Sequence, residues 1–182
     1  FVLQNNPKKL PIVYGVGGNN TAAVLEEIQH TDLSHVDALL SVSPYYNKPS
    51  QEGIIRHFNV IANISPLPLI LYNVPGRTAS NLTAETIVTL ARNKNIIGVK
   101  EASGNLEQCM KIAKEKPSDF MLISGDDLLT LPIYALGGVG VISVLANAFP
   151  GVFKAMKEHA LAGNYSKAQK ELLQANIGIL KA

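Results

Sequence analysis

Residues 68–105 read PLILYNVPGRTASNLTAETIVTLARNKNIIGVKEASGN. The apolar run PLILYNVP gives way to turn residues and then to a helical pattern opened by Thr83, with Ile87, Leu90 and Ala91 on one face. A second apolar run, IIGVKEA, closes the stretch. Both runs are almost continuously apolar instead of alternating, as expected of strands buried on both faces in a parallel sheet covered by helices. This is one β–α–β unit, and it sets the pattern for the chain.

The same cadence extends in both directions. The runs PIVYGVG, ALLSVSP, PLILYNVP, IIGVKEA, FMLISGD and GVISVLA begin near residues 11, 38, 68, 96, 120 and 140, so successive starts lie 27, 30, 28, 24 and 20 residues apart. Ser50 opens a helix in SQEGIIRHFNVIANI, where Ile54, Ile55, Phe58, Ile61 and Ala62 form one buried stripe. Beyond Pro150, VFKAMKEHALAG and YSKAQKELLQANIGIL read as two amphipathic helices joined at Gly163 and Asn164. No strand follows them.

An open doubly wound sheet and a closed (β/α)8 barrel both use this cadence. Polar or unusual residues follow nearly every run: Gly17, Gly18 and Asn19; Tyr45 and Tyr46; Arg77; Lys100 and Glu101; Gly125, Asp126 and Asp127. A barrel gathers all its strand ends around one site, whereas an open sheet concentrates its site at one switch point. The even spread favours the barrel. A barrel has eight strands in typically about 250 residues, and six runs are countable here.

Composition narrows the partners. With 182 residues and 47% hydrophobic content the chain can bury a sizeable core, which argues against disorder and against a disulfide-stapled scaffold. A net charge of +2 gives no electrostatic case for nucleic acid or a membrane surface, and no apolar run is long enough to span a bilayer. A small-molecule ligand is the expectation. A single cysteine, Cys109, excludes an intrachain disulfide and a thiolate metal cluster and fits the cytoplasm. The start, FVLQNNPKK, has neither an initiator methionine nor the order of a signal peptide, so residue 1 is not expected to be the natural beginning.

Lys100 is the sharpest chemical feature, because it alone among the lysines ends an apolar strand. Lost hydration there favours the neutral amine that attacks a ketone to form an imine; the alternative is an ion pair with Glu101 or another carboxylate. Tyr72 ends the preceding strand, where a phenol either relays protons or is core with a satisfied hydroxyl. Arg77 follows in a loop shaped by Pro75 and Gly76, and its planar fork suits a carboxylate. Arg56 and Arg92 sit in helical segments as surface residues. Tyr45 and Tyr46 cannot both point inward on extended chain, so either one serves the site while the other packs against something else such as another subunit, or the pair only packs the turn.

Other motifs carry weaker signals. GVGGNN has Asn20 where a dinucleotide fingerprint needs its last glycine. Gly137, Gly138 and Gly140 either cradle a phosphate or make a tight turn, and Asp126 and Asp127 either hold a metal or cap the next helix. His30, His35, His57 and His159 show no ligand spacing.

Together, YYNKPSQEG, YNVPGRT, GVKEASGN, SGDD and GVISV, in this order, resemble the pyruvate-dependent class I aldolase family that includes N-acetylneuraminate lyase, and within it the dihydrodipicolinate synthases. The resemblance implies a (β/α)8 barrel with the Schiff-base lysine ending its sixth strand. The six runs then stand as strands three to eight, residues 1–149 as a partial barrel, and 150–182 as the last barrel helix with the start of a C-terminal helical extension. Lys100 becomes the imine-forming residue, Tyr72 the proton-transfer phenol, and Tyr46 a second relay tyrosine reaching in from a neighbouring subunit. Arg77 binds the carboxylate of the aldehyde substrate, Gly125 and Ile142 line the pyruvate pocket, and Asn19 and Tyr45 match part of an allosteric lysine site. Ala23 stands where feedback-regulated members often have glutamate, so feedback inhibition is not expected.

The implied activity is condensation of pyruvate with aspartate semialdehyde in lysine and diaminopimelate biosynthesis, in a cytoplasmic homodimer or homotetramer, with no metal or organic cofactor. Arg77 favours this over cleavage of sialic acid or another 2-keto-3-deoxy sugar acid, because a second carboxylate needs neutralising. A non-catalytic α/β small-molecule-binding domain is the alternative outside the family. The glycine-threonine-threonine loop that holds the pyruvate carboxylate in the family has no counterpart here, so the segment alone is expected to be impaired.

Overall fold

The computed structural model describes residues 1–180, and the side chains of residues 1–174. Lys181 and Ala182, the end of the span expected to be helical, lie outside the described residues. The elements run β1 (Val13–Gly15), α1 (Thr21–His30), β2 (Ala38–Val42), α2 (Gln51–Ile64), β3 (Leu69–Asn73), α3 (Pro75–Thr78), α4 (Ala84–Leu90), β4 (Ile96–Glu101), α5 (Leu106–Glu115), β5 (Met121–Ser124), α6 (Thr130–Ala135), β6 (Gly140–Val141), α7 (Pro150–Leu161) and α8 (Tyr165–Leu180). Helix starts follow local chemistry: the side chains of Asn20, Ser50, Thr83 and Asn105 each accept a backbone N–H of the first turn of α1, α2, α4 and α5.

All six strands pair in parallel in the order β1-β2-β3-β4-β5-β6. A sheet that never reverses its order, joined by right-handed crossovers, carries its helices on one face. The core bears this out. Leu39, Leu71, Val99 and Leu122 of the strands pack in one cluster with Ile54, Phe58, Ile87 and Ile112 of the helices. The opposite face holds a smaller cluster of strand residues alone, Ala38, Ile70 and Ile123, with Leu40, Ile97, Met121 and Ile142 against it. Helices outside and strand side chains inside make a half-barrel, and among the described residues there is no reversal at which a doubly wound sheet would place its ligand.

The expectation that every strand is buried on both faces fails at the first strand. Val13 and Tyr14 of β1 are exposed, because β1 pairs with β2 alone. At the other end β6 has two residues. The loop after β3 contains a turn of helix, α3, started by Pro75 and stopped at Ala79 with φ +56°. Helices α7 and α8 meet at Gly163, whose φ of +74° requires its freedom, and Phe153, Met156, Ala160, Ala168 and Leu172 form a separate cluster with Tyr134.

Candidate active site

The β3–β4 register sets Tyr72 opposite Lys100 and Asn73 opposite Glu101. Because side chains alternate across a strand, the first pair points to the inner face and the second to the helices. The Lys100 ammonium Nζ stands 4.0 Å from the centroid of the Tyr72 ring, a cation–π distance. Among the described residues the ion pairs are Arg56–Glu52, Lys111–Glu107 and Lys154–Glu158. Lys100 therefore has no carboxylate partner, and the alternative of a Lys100–Glu101 pair is overturned by the alternation that separates them.

Gly125 follows β5 directly and lies against the Lys100 stem. A Cβ built there would lie 3.0 Å from both Cγ and Cε of Lys100 and 2.8 Å from Cβ of Ala102. The missing side chain is what lets the lysine pass. Ile142 packs on the same inner cluster, its N–H donating to the Ser124 carbonyl at 2.9 Å.

A cavity of about 370 Å³ opens at the C-terminal ends of β1, β2 and β3, walled by Gly17, Val42, Tyr45, Tyr72, Arg77 and Thr78, among others. Tyr72 belongs both to this wall and to the Lys100 contact. Gly17 is needed for its shape, since a Cβ there would meet Val42 Cγ1 at 2.8 Å. Arg77 is exposed and without an ion-pair partner among the described residues. A larger hollow of about 790 Å³ lies among Leu3, Asn6, Lys9, His35 and Asp37, at the N-terminal ends of β1 and β2. It is remote from the lysine, and a barrel works at the other end.

The two tyrosines diverge at a turn after β2, where a positive φ at Tyr46 and not extended-chain parity separates them. Tyr45 lines the cavity, while Tyr46 is 87% exposed at φ +73° and is not brought to Lys100 within this chain. Positive φ at Tyr46 and again at Lys48 swings the loop outward. Asn47 ties that loop to the one after β1 by donating from Nδ2 to the Asn19 carbonyl at 3.1 Å, so Asn19 and Tyr45 stand on linked loops.

Other candidates resolve structurally. Asp126 Oδ1 accepts the N–H groups of Leu128 and Leu129, and Asp127 Oδ2 those of Val144 and Leu145. They cap turns. Gly137 has φ +88°, and a Cβ on Gly138 would strike the Ile133 carbonyl oxygen at 2.8 Å, so this glycine pair makes a tight turn after α6. His57 is buried, shares a hydrogen with Thr21 at 2.8 Å, and is lowered by burial to about 4.

What the sequence reading missed lies directly behind the lysine. Glu101, 1% exposed, accepts only N–H groups: Ser103 N at 2.7 Å and Asn73 Nδ2 at 3.2 Å on Oε1, Asn73 Nδ2 at 2.9 Å and Gln108 Nε2 at 3.0 Å on Oε2. A polar residue at the helix-facing position of two adjacent apolar strands, Asn73 and Glu101, was the available signal.

The sequence matches the dihydrodipicolinate synthetase family over residues 2–181. It is 54% identical over 156 residues, 85% of this chain and 53% of the relative, to 4-hydroxy-tetrahydrodipicolinate synthase of Flavobacterium psychrophilum. It is 56% identical over 162 residues, 88% of this chain and 54% of the relative, to the protein of the same name from Parabacteroides distasonis. Among solved structures it superimposes, with TM-score 0.91 and 37% identity, on the chloride-inhibited dihydrodipicolinate synthase of Acinetobacter baumannii complexed with pyruvate, covering 97% of this chain and 61% of that one. The chain spans about half the length of the curated relatives it matches.

Proposed function

The chain belongs to the dihydrodipicolinate synthetase family, and on that premise we propose that it supplies strands three to eight of a (β/α)8 lyase condensing pyruvate with aspartate semialdehyde. Residues 1–149 are the barrel part, and 150–182 the last barrel helix with the start of a helical extension. The single observation that carries the reading is Lys100: a strand-end amine on the inner face, free of any carboxylate, 4.0 Å from the Tyr72 ring.

In this proposal the neutral Lys100 amine attacks the pyruvate ketone and water leaves, forming an iminium. The iminium acidifies the adjacent methyl, and loss of a proton there gives an enamine. The enamine carbon bonds to the aldehyde carbon of aspartate semialdehyde; the substrate's own amine then displaces Lys100 and closes a six-membered ring. Tyr72 relays the protons, joined by Tyr46 of a neighbouring subunit, for which its 87% exposure is support. Arg77 neutralises the aldehyde substrate's carboxylate from the cavity wall, and Gly125 and Ile142 border the pyruvate. Asn19 and Tyr45 are offered as remnants of a lysine-binding site.

A homodimer or homotetramer follows from the shared tyrosine, and the cytoplasm is the proposed compartment; no helix among the described residues is long and apolar enough to cross a membrane. Borohydride reduction of the full-length protein with pyruvate tests the reading. A covalent adduct on Lys100 supports it, and omission of the aldehyde does not prevent that adduct. Turnover with aspartate semialdehyde, set against cleavage of sugar-derived 2-keto acids, then separates this reaction from related aldolases.

A further inference from the structure

We infer that Glu101 is a positioning residue for this reaction: without reaching substrate, it fixes where the Lys100 amine and the Arg77 loop stand. The inference rests on the aldolase reading above. Glu101 and Asn73 each immediately follow one of the two reacting residues, Lys100 and Tyr72, and face each other across β3 and β4 on the side away from the cavity. Any slip of that pair moves the amine against the phenol.

A carboxylate can only accept hydrogen bonds, so it dictates the direction of every amide around it. Asn73 and Gln108 must present their NH2 groups to Glu101. Gln108 Oε1 is thereby turned to accept from Asn81 Nδ2 at 2.9 Å, and Asn81 Oδ1 to accept from Asn73 Nδ2 at 2.9 Å. Asn73 Oδ1 is left to accept the Leu82 N–H at 3.0 Å. One acceptor thus holds the ends of β3 and β4, the start of α5, and residues Asn81 and Leu82, which close the loop that Arg77 opens. Burying a carboxylate is a poor way to gain stability, since an apolar replacement of equal volume often does as well. Fixing a geometry is a use that an apolar side chain, which orients no amide, does not serve.

Glu101→Gln preserves shape but puts an NH2 group among donors. In the full-length protein, Glu101→Gln is expected to fold yet to form the borohydride-trappable imine with pyruvate about tenfold or more slowly, with a raised KM for aspartate semialdehyde. A displacement of the amine by 1 Å is enough for about a hundredfold. Adding Asn73→Asp reverses donor and acceptor between the two strands and is expected to restore most of the trapping rate. Wild-type trapping and KM in folded Glu101→Gln, or a slowed rate that the double variant does not recover, overturns the positioning role. If Glu101→Gln does not fold, Asn81→Ala decides instead. A raised KM for the aldehyde with pyruvate trapping unchanged supports the role, and an unchanged KM overturns it. Absence of any imine in the wild type strikes the aldolase reading itself, whereas a wild-type adduct with an indifferent Glu101→Gln strikes only this inference.

Discussion

Gly125→Ala separates chemistry from stability. The added Cβ would lie 3.0 Å from Cγ and Cε of Lys100 and 2.8 Å from Cβ of Ala102. Carbon atoms settle at about 3.5–4.0 Å, so the lysine stem has to retreat by between half and one ångström. The partly buried lysine stem can move, but Cβ of Ala102 moves only with its backbone, so the overpacking costs about 1–3 kcal/mol, several degrees of Tm in a domain of this size. The amine is displaced by a distance that costs about 10- to 100-fold in a positioned reaction. Gly98→Ala is the contrast, because its Cβ would strike the Met121 carbonyl oxygen at 2.8 Å, a backbone atom of the neighbouring strand. It should lower stability more than Gly125→Ala does. The assay is the rate of borohydride-trapped pyruvate adduct on the Lys100 peptide by mass spectrometry, beside thermal melting of the same samples. If Gly125→Ala melts lower but traps within about twofold of wild type, the close approach of Gly125 to Lys100 does not set the amine's position.

Three further outcomes are expected. Arg77→Ala should raise KM for aspartate semialdehyde by about tenfold or more, the worth of a charge-assisted pair, while pyruvate imine formation stays nearly intact; collapse of imine formation would show that Arg77 has another role. Burial lowers His57 from 6.5 to about 4, so its neutral form is favoured by folding. Its contribution is full above pH 6.5 and is lost as pH falls from 6.5 toward 4, amounting to about 2 kcal/mol after partial solvent contact is allowed for. His57→Leu should flatten the urea midpoint over that window, and an unchanged slope would refute the assignment. Burial, with a smaller push from the Glu101 charge, raises the Cys109 thiol to about 12. The native protein should leave this thiol untouched by a disulfide reagent at pH 8 and release one equivalent only on unfolding; rapid native labelling would contradict its burial.

The half-barrel was legible because its strands are apolar runs at near-constant spacing and its helices begin at Asn, Ser and Thr caps. Lys100 and Tyr72 were legible because a charged or phenolic group at the end of an apolar strand gives up hydration that a loop or helix face would have left it, and Arg77 because it follows in a loop shaped by Pro75 and Gly76. Two features were not. The exposure of β1 depends on which strand lies beside it, and a run such as PIVYGVG carries no mark of its neighbours. The Glu101 network is assembled from β3, β4, α5 and a loop, and no local pattern brings Asn81 to Gln108 across 27 residues. Side chains alternate along β4, so Glu101 turns away from Lys100 and the two do not pair.

The central claim is that Lys100 forms a Schiff base with pyruvate. Borohydride reduction of the full-length protein in the presence of pyruvate, followed by peptide mapping, tests it most directly. The account predicts one reduced adduct per chain, on Lys100, abolished in Lys100→Arg with the fold retained; an adduct on another lysine, or none, would contradict it.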